Sequence, residues 1–195
     1  PGRGGGGEGD LPSPWEGEGP GVRVFLFAGR LEEEKGLRVL LSAAAQLPHI
    51  SIAIAGDGPL RSLVEATKLP NVVYLGQLTA AELAQWRGRG RALVMPSIWY
   101  EVFGMSALEA MSEGLPVIAS RIGALPELVE HEQTGLLIEP GNAQALAAAI
   151  LRLWQDETLA HRLGAAGREK AQIHYSPERY MISLMALFES VKRET

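Results

Sequence analysis

Two carboxylates, Glu101 and Glu109, flank the Phe103-Gly104 step in the stretch "WYEVFGMSALEAMSEGLPVIAS", residues 99–120. Glu109 falls inside Met105–Met111, a helical stretch whose other residues are almost all small or apolar. A charge among such neighbours is costly unless a partner satisfies it. Two readings compete. Either Glu109 faces water on the narrow polar stripe of Ser106, Glu109, Ser112 and Glu113, or it accepts hydrogen bonds from a pair of ligand hydroxyls.

Gly104 opens that helix and permits unusual backbone angles and close approach of a ligand. The N–H groups of Met105, Ser106 and Ala107 then lie at the positive end of the helix dipole, an anion site of a common kind. A second cationic element follows the first apolar run. In "FAGRLEEEKG", Gly29 is followed by Arg30 and Lys35, and Lys35 stands at a helix start, where a cation is misplaced unless an anion joins it. The competing reading has Glu32, Glu33 and Glu34 neutralise both cations on a solvated loop. "GDGP" carries Gly56 and Gly58, which either serve turn chemistry alone or leave room for a ligand, with Pro59 near the first helical position. "RIGALPELV" is ambiguous in the same way: Gly123 turns the chain and Pro126 starts a helix.

Several chemistries are missing. The three Asp residues never occur as Asp-x-Asp, the four His residues lack metal-ligand spacing, and there is no cysteine to supply thiolates or disulfides. No Gly-x-Gly-x-x-Gly follows the first strand and no Walker motif occurs, which disfavours a nicotinamide dehydrogenase. A bound diphosphate is therefore expected to be held by protein cations in place of a metal.

The elements that must position these residues alternate. Apolar runs at 22–28, 50–55, 72–75, 92–96, 116–120 and 135–138 read as strands. Helical patterns at 37–47, 60–68, 80–87, after Gly104 and at 125–130 separate them. Near-continuous apolar strands between helices predict a doubly wound, Rossmann-like α/β parallel sheet, whose ligands bind at the carboxyl ends of the strands. Beyond residue 141 only helices are predicted: one capped by Asn142, a second from Glu157, and a third with Ser176 as N-cap and Pro177 at N1. In the last, Tyr180, Met181, Leu184, Met185, Phe188 and Val191 form one apolar stripe.

At 195 residues and 46% hydrophobic, the chain has material for one domain with a tail. Residues 1–21 hold nine glycines and four prolines and read as a disordered linker, with Trp15 the single aromatic group. The net charge of -5 argues against non-specific nucleic-acid binding. No apolar run has membrane-spanning length, and a start at Pro1 without a signal-peptide pattern suggests a fragment of a longer protein.

The ordered set "GRLEEEKG", "AGDGP", "EVFGMSALEAMSEGLPVIAS", "GALPELV" and "QTGLLIEPGN" resembles the C-terminal, nucleotide-sugar-binding domain of GT-B glycosyltransferases of family 4, also called group 1, over about residues 22–192. The resemblance implies a nucleotide-sugar domain over 22–175 and a helix over 176–195 that crosses toward a missing N-terminal acceptor domain. It implies that Arg30 and Lys35 grip the donor diphosphate, that Glu109 accepts the ribose hydroxyls, and that Glu101 lies by the donor sugar. The backbone from Phe103 through Gly104 and Met105 to Ser106 would contact the distal phosphate and sugar. The base would lie near Leu75, Gly76 and Leu78.

The implied reaction is metal-independent transfer of a hexose-type sugar with retention of configuration. Arg30, Lys35 and Glu101 would be its catalytic residues, and the nucleotide diphosphate sugar a substrate, with no cofactor. The implied setting is cytoplasmic, and the missing domain leaves open peripheral association with the inner face of the membrane. The pattern departs from the family at Ala124, where a second glycine is common. Two other functions are compatible with parts of the pattern: a non-catalytic nucleotide-sugar-binding module and a sugar-nucleotide epimerase. The paired acids around Phe-Gly argue against the latter.

Overall fold

A computed structural model of the chain describes residues 23–193. The Gly/Pro-rich segment 1–21 lies outside the described residues.

Six strands form one parallel sheet: β1 (Val24–Ala28), β2 (Ile52–Ala55), β3 (Val72–Gly76), β4 (Gly90–Met95), β5 (Val117–Ser120) and β6 (Gly135–Ile138). Their order is β3-β2-β1-β4-β5-β6. Eight α-helices connect and follow them: α1 (Leu37–Ala44), α2 (Arg61–Glu65), α3 (Ala80–Gly88), α4 (Met105–Ser112), α5 (Leu125–Leu128), α6 (Ala143–Gln155), α7 (Glu157–His174) and α8 (Pro177–Arg193).

Side chains alternate across a strand, so each apolar run feeds two cores. Phe25, Phe27, Ile52, Ile54, Val94 and Ile118 face one layer, packed by α1, α6 and the start of α7. Val24, Leu26, Leu93, Met95 and Val117 face the other, packed by α4, α5 and Trp86 of α3. Burial on both faces is why these strands read as continuous apolar runs. The fold is the expected doubly wound α/β domain. The strand order reverses between β1 and β4, which opens a crevice at their carboxyl ends.

Two local expectations change. The helix expected over 60–68 is only Arg61–Glu65, with Leu60 as its N-cap and Pro59 just ahead. The cause is a backbone bond from Leu60 N–H to the Leu31 carbonyl (2.8 Å), which ties the turn to the loop after β1. The helix expected over 37–47 stops at Ala44, where Asn71 donates from its amide nitrogen to the carbonyls of Ala44, Leu47 and Ile50.

Helix α8, which the resemblance has crossing toward a missing domain, leaves its apolar stripe uncovered as that implies. Tyr180, Met181, Met185 and Phe188 are all more than half exposed, and only Leu184 is partly covered. The Val191 side chain lies outside the described residues. With both faces of the sheet already layered by the preceding helices, α8 finds no groove and projects from Ser176, whose hydroxyl caps Arg179 N–H at 3.2 Å. Among the described residues no helix is long and apolar enough to cross a membrane.

Candidate functional site

The crevice between β1 and β4 is built by two loops laced together. After β1 the chain passes Gly29 and Arg30 into a 3-10 turn, Glu33–Lys35, and leaves it through Gly36 at φ +70°. A Cβ at Gly36 would stand 1.8 Å from the Pro96 carbonyl oxygen, so only glycine lets this turn lie against the end of β4. Ile98 N–H donates to the Glu34 carbonyl (2.8 Å) and completes the seam.

This seam brings together residues 66 positions apart: Lys35 Nζ donates to Glu101 Oε1 at 2.7 Å. Ser97 Oγ donates to the same oxygen at 2.6 Å. The Glu101 side chain is only 12% exposed, against 30% for Lys35. A desolvated carboxylate is thus matched by a cation and a hydroxyl. The Glu101 main chain is held from the far side. Ala124 N–H donates to its carbonyl at 2.9 Å, and a Cβ at Gly123 would sit 2.5 Å from that oxygen. Ala124 itself has ordinary right-handed angles, so its departure from glycine strains nothing here.

Two adjoining lobes result, sharing Ala28, Gly29, Arg30 and Ser106. The first, about 590 Å³, is lined by Gly56, Gly58, Gln77, Leu78, Leu83 and Glu109 among others. The second, about 480 Å³, holds Lys35, Ser97, Tyr100, Glu101 and the segment Phe103 to Ser106. Of the residues expected at a ligand, Gly29, Arg30, Lys35, Gly56, Gly58, Leu78, Glu101, Phe103, Gly104, Met105, Ser106 and Glu109 all border one lobe or both. Leu75 instead packs against the core beside α3, and the Gly76 carbonyl is occupied by Gly56 N–H (2.8 Å).

The cations divide between the two readings open in the sequence. Arg30, 74% exposed, pairs with Glu32 at 2.6 Å, as the loop-neutralisation reading has it. Lys35 bypasses the loop glutamates for Glu101. Gly56 and Gly58 have a packing reason: a Cβ on either would meet the backbone of Gly29 or Leu31 at 1.8 and 2.7 Å. They let the loop after β2 press against the loop after β1 and so shape the lobe wall.

At α4 the positive end of the helix faces the cleft, but with fewer open donors than the three expected. Ala107 N–H already bonds the Gly104 carbonyl (2.9 Å), which leaves Met105 and Ser106. Glu109 lies on the helix's open face, 45% exposed, while Ala107, Ala110 and Met111 are buried. Arg87 Nη1 donates to Glu109 Oε2 at 3.1 Å. The helix is therefore not buried all round, and Glu109 has a protein partner that its own neighbourhood in sequence did not reveal. Arg87, Gln77, Leu83, Ser97 and Tyr100 carry no motif signal. Gln77 and Leu83 follow β3 closely enough that the strand-end rule alone singles them out for inspection.

Chemically, the first lobe offers glycine backbone, Leu78 and Leu83 for a flat apolar group, with a carboxylate for hydroxyls. The second offers a lysine and two backbone N–H groups for an anion.

The family described as "Glycosyl transferases group 1" matches residues 15–170. The chain is 36% identical over 158 residues to sulfoquinovosyl transferase of Arabidopsis thaliana, covering 78% of this chain and 31% of that protein. It is 38% identical over 166 residues to D-inositol 3-phosphate glycosyltransferase of Pseudarthrobacter chlorophenolicus, covering 78% and 39%. It thus spans less than half the length of these curated relatives.

Among solved structures, sucrose-phosphate synthase of Thermosynechococcus elongatus superposes with a TM-score of 0.80 at 34% identity, over 90% of this chain and 47% of that one. The C-terminal domain of a group 1 glycosyl transferase from Francisella tularensis superposes with a TM-score of 0.69 at 25% identity, over 80% of this chain and 89% of that domain. An Anabaena protein solved in complex with UDP gives 0.78 at 26% identity, over 86% and 49%. With the ordered motifs, the reversal of strand order at the cleft and these matches in hand, the chain belongs to the glycosyl transferases of group 1, and its fold is that of their C-terminal domain.

Proposed function

We propose that this chain is the donor half of a retaining, metal-independent glycosyltransferase that moves a hexose-type sugar from a nucleoside diphosphate to an acceptor held by an N-terminal domain. The observation that carries this reading is the two-lobed cleft. A carboxylate stands in one lobe, and a lysine and a helix N-terminus stand in the other, across a shared wall of Gly29 and Ser106. A neighbour of similar fold solved with UDP and with UDP-glucose supports the ligand class.

In this reading the base and ribose occupy the first lobe, with Glu109 accepting from the ribose hydroxyls. The diphosphate spans the wall toward Lys35 and the N–H groups of Met105 and Ser106. Lysine has three donors. Glu101 uses one, so two stay available to phosphate oxygens while the cation keeps its place. Negative charge grows on the leaving diphosphate as the sugar departs. Lys35 and the α4 N-terminus border the second lobe, Arg30 lines its wall and would have to exchange Glu32 for the diphosphate, and preorganised charge of this kind lowers the barrier. Glu101 borders the lobe in which the sugar would sit. Metal independence, with cationic side chains in the metal's role, rests on the family resemblance, as do retention, the hexose and the cytoplasmic setting. Membership of a transferase family sets the epimerase reading aside.

Calorimetry of the chain with UDP, GDP and ADP and their sugars tests the proposal. One nucleoside diphosphate is expected to bind, with no sugar transfer at a useful rate by this chain, because transfer needs both reactants positioned. Failure of all three to bind overturns the reading, and efficient transfer by the chain alone overturns the division of labour.

A further inference from the structure

We propose that Arg87 is the positioning residue for Glu109, holding that carboxylate at the angle from which it reads the ribose. The inference rests on the assignment of Glu109 to the ribose hydroxyls and adds the residue through which that assignment works.

Arg87 sits in the last turn of α3, and its side chain is 9% exposed. Glu109 on α4 and Glu113, its C-cap residue with right-handed backbone angles, are four residues apart and so lie one above the other on the same face. The guanidinium meets Glu113 twice, Nε to Oε2 at 2.9 Å and Nη2 to Oε1 at 2.6 Å. That two-pronged grip fixes the plane of the group. With the plane fixed, the position of Nη1 is fixed too, and one of its two N–H bonds ends on Glu109 Oε2 at 3.1 Å. One oxygen of Glu109 is thereby tied down. No hydrogen bond among the described residues engages the other, Oε1, and the residue borders the first lobe. A glutamate left to itself on an exposed helix face samples several rotamers, and ordering it on ligand binding costs affinity. Arg87 removes that cost in advance.

Neither acid needs Arg87 in order to be soluble. Glu109 and Glu113 are 45% and 37% exposed, so water can satisfy both once the arginine is gone. Their rigid partner is otherwise missing. Of the cations that line the cleft, Arg30 pairs with Glu32 and Lys35 with Glu101. A single-pronged cation at position 87 cannot hold Glu113 in two places and Glu109 in a third, so lysine is not an equivalent.

The test is a double-mutant cycle read on the full 195-residue chain by calorimetry. The probes are UDP, GDP and ADP, each against its 2'-deoxy analogue. The unsubstituted chain is expected to prefer the ribonucleotide by about 10- to 100-fold, the scale of a hydrogen bond to a charged acceptor. Glu109→Ala should reduce the preference to about twofold or less. Arg87→Leu should bring it most of the way to the same value, with Arg87→Lys between. Made on top of Glu109→Ala, Arg87→Leu should change neither affinity nor preference. If Arg87→Leu lowers affinity equally with and without Glu109, or leaves the preference intact while Glu109→Ala abolishes it, Arg87 is a structural staple and the inference falls. If Glu109→Ala itself leaves the preference unchanged, the ribose assignment falls and takes this inference with it. Thermal unfolding of each variant separates loss of fold from loss of positioning, and Arg87→Lys carries the test should Arg87→Leu not fold.

Discussion

Lys35 and Arg30 are five residues apart on one loop, yet the fold gives them different duties. Arg30 is exposed and answered by Glu32, while Lys35 is drawn into the seam between β1 and β4 by a carboxylate that has almost no water of its own. Stripping one partner from a desolvated charge pair is expensive, whereas exposed pairs contribute little. Lys35→Ala is therefore expected to weaken nucleoside diphosphate binding by roughly 2–5 kcal/mol, with Glu32→Ala doing far less. Calorimetry on the two variants checks this. Equal and small losses would confine Lys35 to its pairing with Glu101.

At the scale of elements, the cleft depends on short segments with little tolerance. The Gly36 turn allows no Cβ, since Pro96 stands where one would go. Gly36→Ala combines a left-handed backbone with a direct overlap and should destabilise the domain by more than about 2 kcal/mol, with a parallel fall in nucleotide affinity. An unfolding midpoint close to that of the parent chain would mean the two loops can part without harm.

Helix α3, which carries Leu83 and Arg87 to the site, begins with a capping box. Thr79 Oγ1 accepts from Glu82 N–H, and Glu82 returns the contact to Thr79 N–H at 2.7 Å. The Thr79 backbone N–H, then its hydroxyl, hold the Glu82 carboxyl below its ordinary value of 4.5. A depressed folded pKa gives a contribution that is whole above pH 4.5 and is lost as pH falls through the folded value. Hydrogen-exchange protection at Leu83 to Trp86 should therefore decline on acidification below that point, and decline less in Glu82→Gln. Identical pH profiles for the two would remove the box from the account.

For the whole molecule, α8 is the unresolved demand. A row of Tyr180, Met181, Met185 and Phe188 in water is an association surface. The proposed N-terminal domain is its natural cover. Because α8 adds little to either core, deletion of residues 177–195 should leave the unfolding midpoint within about 2 °C, less than 1 kcal/mol typically moves it. Light scattering of the 195-residue chain should show concentration-dependent self-association that the deletion abolishes. A large drop in midpoint would show that the helix belongs to this domain after all.

What the sequence determined by itself was local or periodic. All six strands lie where apolar, β-branched runs placed them, and the caps at Asn142 and Ser176 form as predicted, because propensity and hydrophobic period act over a few neighbouring residues. Glu101 and Glu109 stood out because carboxylates are rare in so apolar a stretch, and the ordered motifs supplied the reading. Tertiary structure decided the partners. Lys35 meets Glu101 across 66 positions, Arg87 meets Glu109 across 22, and Asn71 caps the end of α1 from the start of β3. For α8 the resemblance implied a helix that leaves this domain, and the fold decided how little of its stripe the domain covers, since an amphipathic stripe states that a face wants cover without saying whether the domain has a groove left to give it. Such pairings follow from strand order and crossover connections, which bring the ends of β1 and β4 side by side. No window of sequence contains both sides of that cleft.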